Sequence, residues 1–153
     1  MPGDWQTKRG QTLQIDFGVK QEGFVSDLQR TWYFLEPGEN EPPEKVRHAF
    51  DAVRAAIEAG RAALKPGAIG WEVDAAGRNT ITQRGYPEYQ HALGHQIGRS
   101  AHDGATLLGP RWERYGDCVQ GVVQEHNVFT LELGVHVPGR GYIGLEEDML
   151  VTA

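Results

Sequence analysis

The chain has 153 residues, of which 24% are charged, and a formal net charge of -6 at pH 7. This length supports one domain, or part of one, with a hydrophobic core. No apolar run is long enough to span a bilayer, and the basic residues form no dense cluster, so the sequence argues against a membrane protein and a nucleic-acid-binding protein. Cys118 is the single cysteine, which excludes a disulfide framework and favours a reducing, cytoplasmic compartment.

The first predicted element is a β-hairpin. Residues 12–19 alternate apolar and polar side chains, which is typical of a half-buried strand, and residues 24–34 follow as its return strand. Gly23 is the strongest turn residue between them, and we expect the turn near Gln21–Glu22. The apolar side of the first strand comprises Leu13, Ile15, Phe17 and Val19.

Two helices are predicted next. Pro42–Pro43 precede a helix of about 20 residues, and Pro66–Gly67 end it. A second helix is predicted from about Trp71 to Arg84, with Gly85 at its C-terminal cap. The apolar stripe of the first helix comprises Val46, Phe50, Val53, Ile57 and Leu64.

The rest of the chain combines an irregular region with a second hairpin. The glycines of HALGHQIGRSAHDG, residues 91–104, disfavour a helix, and residues 103–125 show little periodicity. Residues 127–137 and 141–152 predict two strands around a turn near Gly139–Arg140. This order of elements predicts an α+β fold with an antiparallel sheet.

Four acidic side chains occupy symmetric positions in the two hairpins. Asp16 and Asp27 are equidistant from the first turn, and Glu132 and Glu147 are equidistant from the second, so each pair is predicted to be directly opposed. Opposed like charges are destabilising unless a counter-charge binds between them. Two divalent cations would provide that charge, whereas any single acid of this kind is more often a solvated surface residue.

Clustered histidines would complete such a site. His91, His95 and His102 lie between the two hairpins, where one imidazole could bind a metal while others polarise a substrate or transfer protons. Carboxylates combined with imidazole suit manganese, cobalt, zinc or iron(II). The histidines interpreted as structural or surface residues are His48, His126 and His136.

Several other residues have two readings each. Asp103 either orients His102 or caps a turn, and Arg30 either pairs with a site carboxylate or faces solvent. Cys118 lacks the neighbouring histidine pattern of a catalytic nucleophile. The aromatic residues that could line a pocket or belong to the core are Trp32, Trp112 and Tyr115.

Four motifs in this order resemble the pita-bread metallopeptidases, a group that includes methionine aminopeptidases, Xaa-Pro dipeptidases and aminopeptidase P. IDFGVKQEGFVSDLQRT resembles their first metal-ligand motif, and HALGHQIGRSAHDG resembles their histidine motif. NVFTLELGV and GLEEDMLVT resemble the two glutamate motifs that close the site. The similarity extends from about Gly10 to Thr152, which is nearly the whole chain.

The resemblance implies the pita-bread fold of creatinase and the aminopeptidases, in which helices pack on the outer face of a curved antiparallel sheet. It implies two divalent metal ions, manganese or cobalt, with zinc or iron as alternatives. Glu132 would also transfer protons, and His91 and His102 would act on the substrate. The metal ligands implied by the resemblance are Asp16, Asp27, His95, Glu132 and Glu147.

Two details refine what the resemblance implies. Glu147 is preferred to Glu146 because it precedes Asp148, as in the last motif of the family, and hairpin symmetry selects the same residue. His91, four residues before His95, is similar to the Xaa-Pro branch. The implied reaction is attack on an N-terminal peptide bond by a hydroxide that bridges the two metals.

The sequence departs from the family pattern at Gln29, where threonine is usual, at Leu133, where proline is usual, and at Leu145, where an arginine is frequent. These changes bear on substrate preference more than on metal binding. Residues 1–153 are expected to form the C-terminal portion of a catalytic domain that is incomplete on its N-terminal side. Uncovered sheet edges in such a portion favour association, with a homodimer as one outcome.

Two alternatives share the fold. One is a scaffold that binds peptide or protein without turnover, and the other is a non-peptidase hydrolase similar to creatinase. Both generally depart from the metal-ligand set that this sequence retains. The leading hypothesis is therefore a cytoplasmic, metal-dependent aminopeptidase or dipeptidase of the Xaa-Pro type that acts on peptides and binds neither nucleic acid nor membrane.

Overall fold

The computed structural model describes Asp4 and residues 6–153. Within these residues it has an α+β fold with antiparallel sheets. The strands are β1 (Thr12–Phe17), β2 (Lys20–Gln21), β3 (Phe24–Val25), β4 (Leu28–Tyr33), β5 (Gly94–His95), β6 (Leu107–Leu108), β7 (Val128–Val137) and β8 (Gly141–Leu150), and the α-helices are α1 (Glu44–Ala63) and α2 (Gly70–Gln83). The main sheet has the strand order β1-β4-β8-β7, and both of its hairpins were predicted.

The first hairpin is shorter and more interrupted than the sequence predicts. Its outer part is β1 paired with β4, and its tip is the two-residue ribbon of β2 and β3. The turn consists of Glu22 and Gly23, which both have positive φ (51° and 88°) and lie between the paired residues Gln21 and Phe24. This geometry is that of a two-residue hairpin turn with a left-handed backbone, and it lies one residue later than predicted.

The helices begin and end close to the predicted positions. The helix α1 begins directly after Pro43, and at its end the N–H group of Leu64 donates to the carbonyl of Gly60. The predicted apolar stripe is buried at Val46, Val53 and Ile57, where α1 packs on α2, β7 and β8. The sheet therefore has one face covered by helices in its β7–β8 half.

The second hairpin forms the centre of the core. Its two strands pair over their full length, from Val128 with Leu150 to Val137 with Gly141. Leu131 and Leu133 of β7 are 0% and 1% exposed. The hydrophobic core therefore lies between this hairpin and α1, with Leu93 from the histidine-bearing segment packed against it.

The region from 103 to 125 contains more order than its lack of periodicity indicates. Leu107 and Leu108 form β6, which pairs with β5, and residues 113–120 form a 3₁₀ segment that is kinked at Gly116. Among the described residues, no helix has both the length and the apolar character needed to cross a membrane.

Candidate metal centre

One row of side chains crosses the main sheet on the face opposite the helices. The row consists of Asp16 on β1, Gln29 on β4, Glu146 on β8 and Glu132 on β7, and each residue is the ladder partner of the next. Residues that are paired directly across neighbouring strands have their side chains on the same face of the sheet, so these four share one face. Three of the four are acidic, so the row concentrates negative charge on that face.

Asp27 joins the row from the segment just before β4. The sequence predicts that Asp16 is directly opposite Asp27, and this pairing is wrong, because Asp16 pairs with Gln29. The difference is two residues, so Asp27 keeps its face, where its charge acts on Asp16. Burial, followed by the charge of Asp27, raises the pKa of Asp16.

The backbone of the histidine-bearing segment lies alongside β7 and places His95 over the acidic row. The N–H group of Glu132 donates to the carbonyl of Leu93 at 2.6 Å, and the N–H group of His95 donates to Oγ1 of Thr130 at 3.1 Å. A Cβ atom at Gly94 would collide with the Thr130 carbonyl oxygen. The glycine therefore permits the close approach that brings His95 to the site.

The imidazole of His95 faces three carboxylates. Its Nε2 atom lies 3.7 Å from Oε1 of Glu132, 3.9 Å from Oε1 of Glu146 and 4.0 Å from Oδ2 of Asp27. These distances exceed those of hydrogen bonds. Ligand atoms that share one metal ion, each about 2.1 Å from it, lie roughly 3–4 Å apart, so the spacing fits a common cation.

The electrostatics of the cluster also fit a cation. Within the described part of the chain, Asp27, Glu132 and Glu146 form ion pairs only with His95. Burial raises the pKa of Glu132 to about 7, and burial together with the charges of Glu132 and Asp27 raises the pKa of Glu146 to about 8. Burial, followed by the neighbouring His102, lowers the pKa of His95, which favours the neutral imidazole that a metal requires.

The structure places Glu147 outside the acidic cluster. Its partner across the hairpin is Leu131, so it lies on the helix-side face, where its carboxylate binds Arg30 at 3.1 Å. Glu146 pairs with Glu132 instead and is 1% exposed. The predicted pairing of Glu132 with Glu147 is wrong by one residue, because the turn is a three-residue loop centred on Gly139 (φ 75°). A slip of one residue transfers a side chain to the other face of the sheet.

The two other predicted histidines lie in different places. His102 is stacked on His95, with 4.2 Å between the ring centroids, and is therefore at the site. His91 is exposed and lies beside Tyr89, outside the cluster of acids. It lines a cavity that also includes His136 and Tyr142.

A buried ion pair on α2 fixes the segment that leads to His95. The guanidinium of Arg78 donates two hydrogen bonds to the carboxylate of Asp74, at 2.7 and 2.8 Å, and others to the carbonyls of Tyr89 and His91. Asp74 also accepts the N–H group of Leu93 at 3.1 Å. This pair was not predicted from the sequence, although an acidic and a basic residue four apart on a predicted helix could have indicated it.

Asp148 and Gln29 are further contributors that the sequence did not assign to the centre. The N–H group of Asp27 donates to Oδ2 of Asp148 at 3.2 Å, which holds the backbone of Asp27 next to β8. The side chain of Gln29 donates to Oε2 of Glu132 at 2.9 Å. Both residues therefore support acids of the cluster directly.

The structure decides between the alternative roles of two side chains, Asp103 and Arg30. Asp103 accepts a hydrogen bond from the N–H group of Arg99 and so stabilises a turn. Arg30 pairs with Glu147 on the face opposite the acidic cluster. The guanidinium groups of Arg78 and Arg114 lie 4.9 Å and 4.6 Å from the ring centroid of Trp112.

Comparison with known proteins gives consistent matches along the chain. The chain is 31% identical over 150 residues to an Xaa-Pro dipeptidase of Pyrococcus horikoshii, and the match covers 97% of this chain and 39% of that protein. It is 36% identical over 152 residues to an uncharacterised peptidase of Staphylococcus saprophyticus, covering 99% of this chain and 40% of the relative. The chain therefore spans about 40% of the length of these curated relatives.

Solved structures agree with the sequence matches. The prolidase from Pyrococcus furiosus superposes with a TM-score of 0.83 and 29% identity, over 98% of this chain and 41% of that chain. The X-Pro aminopeptidase from Thermotoga maritima superposes with a TM-score of 0.79 and 30% identity, over 95% of this chain and 38% of that chain. These neighbours have the pita-bread fold that the four motifs predicted.

The model of metallopeptidase family M24 matches residues 1–153. The strand pairing that collects the acids, the histidine above them and the matches to prolidases are all consistent with this result. The chain belongs to metallopeptidase family M24.

Proposed function

We propose that this chain carries the metal centre of a peptidase that hydrolyses an N-terminal peptide bond of the Xaa-Pro type. The observation that carries the proposal is the convergence of Asp27, Glu132 and Glu146 on the Nε2 atom of His95, without a lysine or arginine partner among the described residues. Carboxylates around an imidazole are typical ligands of divalent transition metals. The names of the similar prolidases and X-Pro aminopeptidase support the substrate class.

We assign two divalent metals to the centre, manganese or cobalt in preference to zinc or iron. When bound, such a pair supplies a hydroxide nucleophile near neutral pH and stabilises the tetrahedral intermediate. Asp16 and Asp27 would bind on the exposed side of the centre, where the charge of Asp27 acts on Asp16. The proposed ligands are Asp16, Asp27, His95, Glu132 and Glu146.

Three side chains have proposed roles towards the substrate. Glu132, whose pKa is raised by burial to about 7, is suited to accept and return a proton near neutral pH. His102, stacked on His95, would contact the substrate carbonyl. His91 would contact a more distant part of the peptide, because it lies in the neighbouring cavity rather than over the acids.

Metal binding is the first test of the proposal. We expect the chain, stripped with a chelator and titrated with Mn²⁺ or Co²⁺ in a calorimeter, to bind two equivalents. His95→Ala should abolish high-affinity binding. His126→Asn is the matched control, because the His126 side chain is 80% exposed and Asn tolerates the positive φ of 68° at this position. A folded chain that binds no metal would contradict the proposal.

Substrate turnover is the second test. Xaa-Pro dipeptides, longer Xaa-Pro peptides and Met-peptides should be compared with manganese, cobalt and zinc present in turn. We expect proline-containing substrates to be cleaved and Met-peptides to be cleaved poorly. Metal binding with peptide binding but without cleavage would instead favour the non-catalytic scaffold.

A further inference from the structure

Gln29 is the one neutral residue in the row that crosses the sheet. Its ladder partners are Asp16 on one side and Glu146 on the other, and it is 7% exposed. A buried amide must find hydrogen-bond partners, because leaving it unsatisfied costs about 1–3 kcal/mol. Gln29 therefore occupies the centre of the acidic face with both ends of its amide committed.

The two ends of the Gln29 amide form a relay with a fixed direction. Its Nε2 group donates to Oε2 of Glu132 at 2.9 Å, and its Oε1 atom accepts from Nε2 of Gln14 at 2.6 Å. An ionised carboxylate can only accept, so when Glu132 is ionised Gln29 must present its NH₂ group to Glu132 and its carbonyl oxygen to Gln14. The direction of the whole relay is thus set by the acid at its end.

The relay occupies space that a glycine leaves open. A Cβ atom at Gly144 would lie 2.9 Å from Oε1 of Gln29 and 3.1 Å from Nε2 of Gln14. Both distances are tighter than ordinary contacts between a methyl group and a polar atom. The sheet therefore provides a slot for the two amides between β1 and β8.

The relay divides the two oxygens of Glu132 between different partners. Oε2 accepts from Gln29, while Oε1 lies 3.7 Å from Nε2 of His95. A hydrogen bond to one oxygen fixes the carboxylate plane and leaves the other oxygen facing the centre of the cluster. Partners of this kind orient metal ligands and change metal affinity by about 10–100-fold.

We propose that Gln14 and Gln29 are positioning residues that hold Glu132 with its Oε1 atom directed at the metal centre. The inference rests on the proposed metal centre for its effect on binding, but the relay itself is a property of the metal-free chain. Neither glutamine contacts the substrate or the reacting atoms in this role. Gly144 is part of the same arrangement, because the absence of a side chain there leaves space for the two amides.

The relay can be tested first without metal. In ¹H–¹⁵N spectra of the metal-free chain, the side-chain NH₂ resonances of Gln29 should exchange slowly with solvent. They should shift in Gln14→Leu and in Glu132→Gln, since each variant changes one end of the relay. They should not shift in Thr31→Val, whose hydroxyl bonds only Gly144 on the same pair of strands. Gln29 resonances that exchange rapidly and are insensitive to Glu132→Gln would overturn the inference.

The second test measures metal affinity in the same variants. We expect Gln29→Leu to weaken Mn²⁺ binding by about 10-fold or more and Gln14→Leu to weaken it by a smaller factor, in calorimetric titrations. Thr31→Val should stay close to the wild type. Equal Mn²⁺ affinity in the wild type, Gln29→Leu and Gln14→Leu would overturn the positioning role.

The two proposals fail in distinguishable ways. A wild-type chain that binds no Mn²⁺ contradicts the metal centre, while the NMR result still decides whether the relay exists. If Gln29→Leu does not fold, Gln14→Leu decides the positioning role, because Gln14 is only half-buried at the edge of the sheet. Unchanged Mn²⁺ affinity in a folded Gln14→Leu would then count against it.

Discussion

The two hairpins of the main sheet contribute acids to the same face, but their opposite faces differ. Behind the second hairpin, Leu131 and Ile143 are 0% and 1% exposed under α1. Behind the first hairpin, Ile15, Phe17 and Trp32 are 41%, 45% and 48% exposed. One half of the sheet is therefore anchored in the core, and the other half presents apolar side chains to solvent.

This difference extends to the acids themselves. Glu132 and Glu146, from the second hairpin, are buried deeply enough for their pKa values to be raised to about 7 and about 8. Asp16, from the first hairpin, is exposed. We infer that the second hairpin supplies the buried side of the proposed metal centre and the first hairpin the accessible side.

The largest expected effect concerns the apolar faces. Leu131→Ala should lower the free energy of unfolding by about 2–5 kcal/mol, because it leaves a cavity in the core. Ile15→Ala, its counterpart on the first hairpin, should change it by about 0.5 kcal/mol or less. Urea unfolding followed by circular dichroism measures both. Similar losses in the two variants would mean that the first hairpin is covered in solution, for example by a second copy of the chain.

The pH dependence of stability should also separate the hairpins. A carboxyl group whose pKa is higher in the folded state than in the unfolded state stabilises the fold below about pH 4.5, and this stabilisation is lost as the pH rises through the folded pKa. For Glu132 and Glu146 that loss ends between about pH 7 and about pH 8. In the metal-free chain we therefore expect several kcal/mol of stability to be lost between pH 5 and pH 8.5, since each unit of raised pKa corresponds to about 1.4 kcal/mol.

Variants of the acidic residues can show which groups cause the pH dependence of the free energy of unfolding. Urea unfolding with EDTA should show a much flatter profile for the Glu132→Gln/Glu146→Gln double variant than for the wild type. Asp16→Asn should retain most of the slope, since Asp16 is exposed and belongs to the other hairpin. An unchanged slope in the double variant would mean that other titrating groups, such as the histidines, set the pH dependence.

A neighbouring pair of glutamates tests the register of the second hairpin. Glu146→Gln should weaken Mn²⁺ binding by about 100-fold, because it replaces a buried, charged oxygen ligand by an amide. Glu147→Gln is the matched control one residue away, and it should bind Mn²⁺ like the wild type because its side chain pairs with Arg30 on the other face. Calorimetry would contradict the observed register if Glu147→Gln showed the larger loss.

The hairpins also explain how much of the fold and site could be predicted. Prolines and glycines at the helix ends gave α1 and α2 to within about two residues, since these residues restrict the backbone locally. The register of a hairpin depends on the length of its turn, which composition specifies poorly. An error of two residues kept Asp27 on the face predicted for it, whereas an error of one residue placed Glu147 rather than Glu146 opposite Glu132.

Burial on both faces of β8 concealed which of the two neighbouring glutamates lies opposite Glu132. Gly144, Leu145 and Glu146 are all buried, so β8 has no alternation at that point to show which face Glu146 takes. The Asp74–Arg78 pair was equally hidden, because an acidic and a basic residue four apart on a helix usually form an exposed pair. Only tertiary structure shows that this pair holds the backbone of the histidine-bearing segment.

The smallest expected effect concerns Arg30, the cation nearest to the site in sequence. Arg30 lies on the face opposite the acidic cluster, in the half of the sheet that the helices leave uncovered, and the side chains of its pair with Glu147 are 36% and 41% exposed. Solvent screening limits such a pair to about 1 kcal/mol or less. A double-mutant cycle of Arg30→Met and Glu147→Gln, measured by urea unfolding, should give a coupling of this size that decreases with added salt.

Mn²⁺ affinity should stay nearly constant through the cycle, because the guanidinium and the acidic cluster lie on opposite faces. A coupling that does not depend on salt, or a loss of Mn²⁺ binding in the same variants, would contradict this expectation. Either result would show that β4 links the two faces of the first hairpin, so that its exposed apolar face affects the acidic cluster more than its low burial indicates.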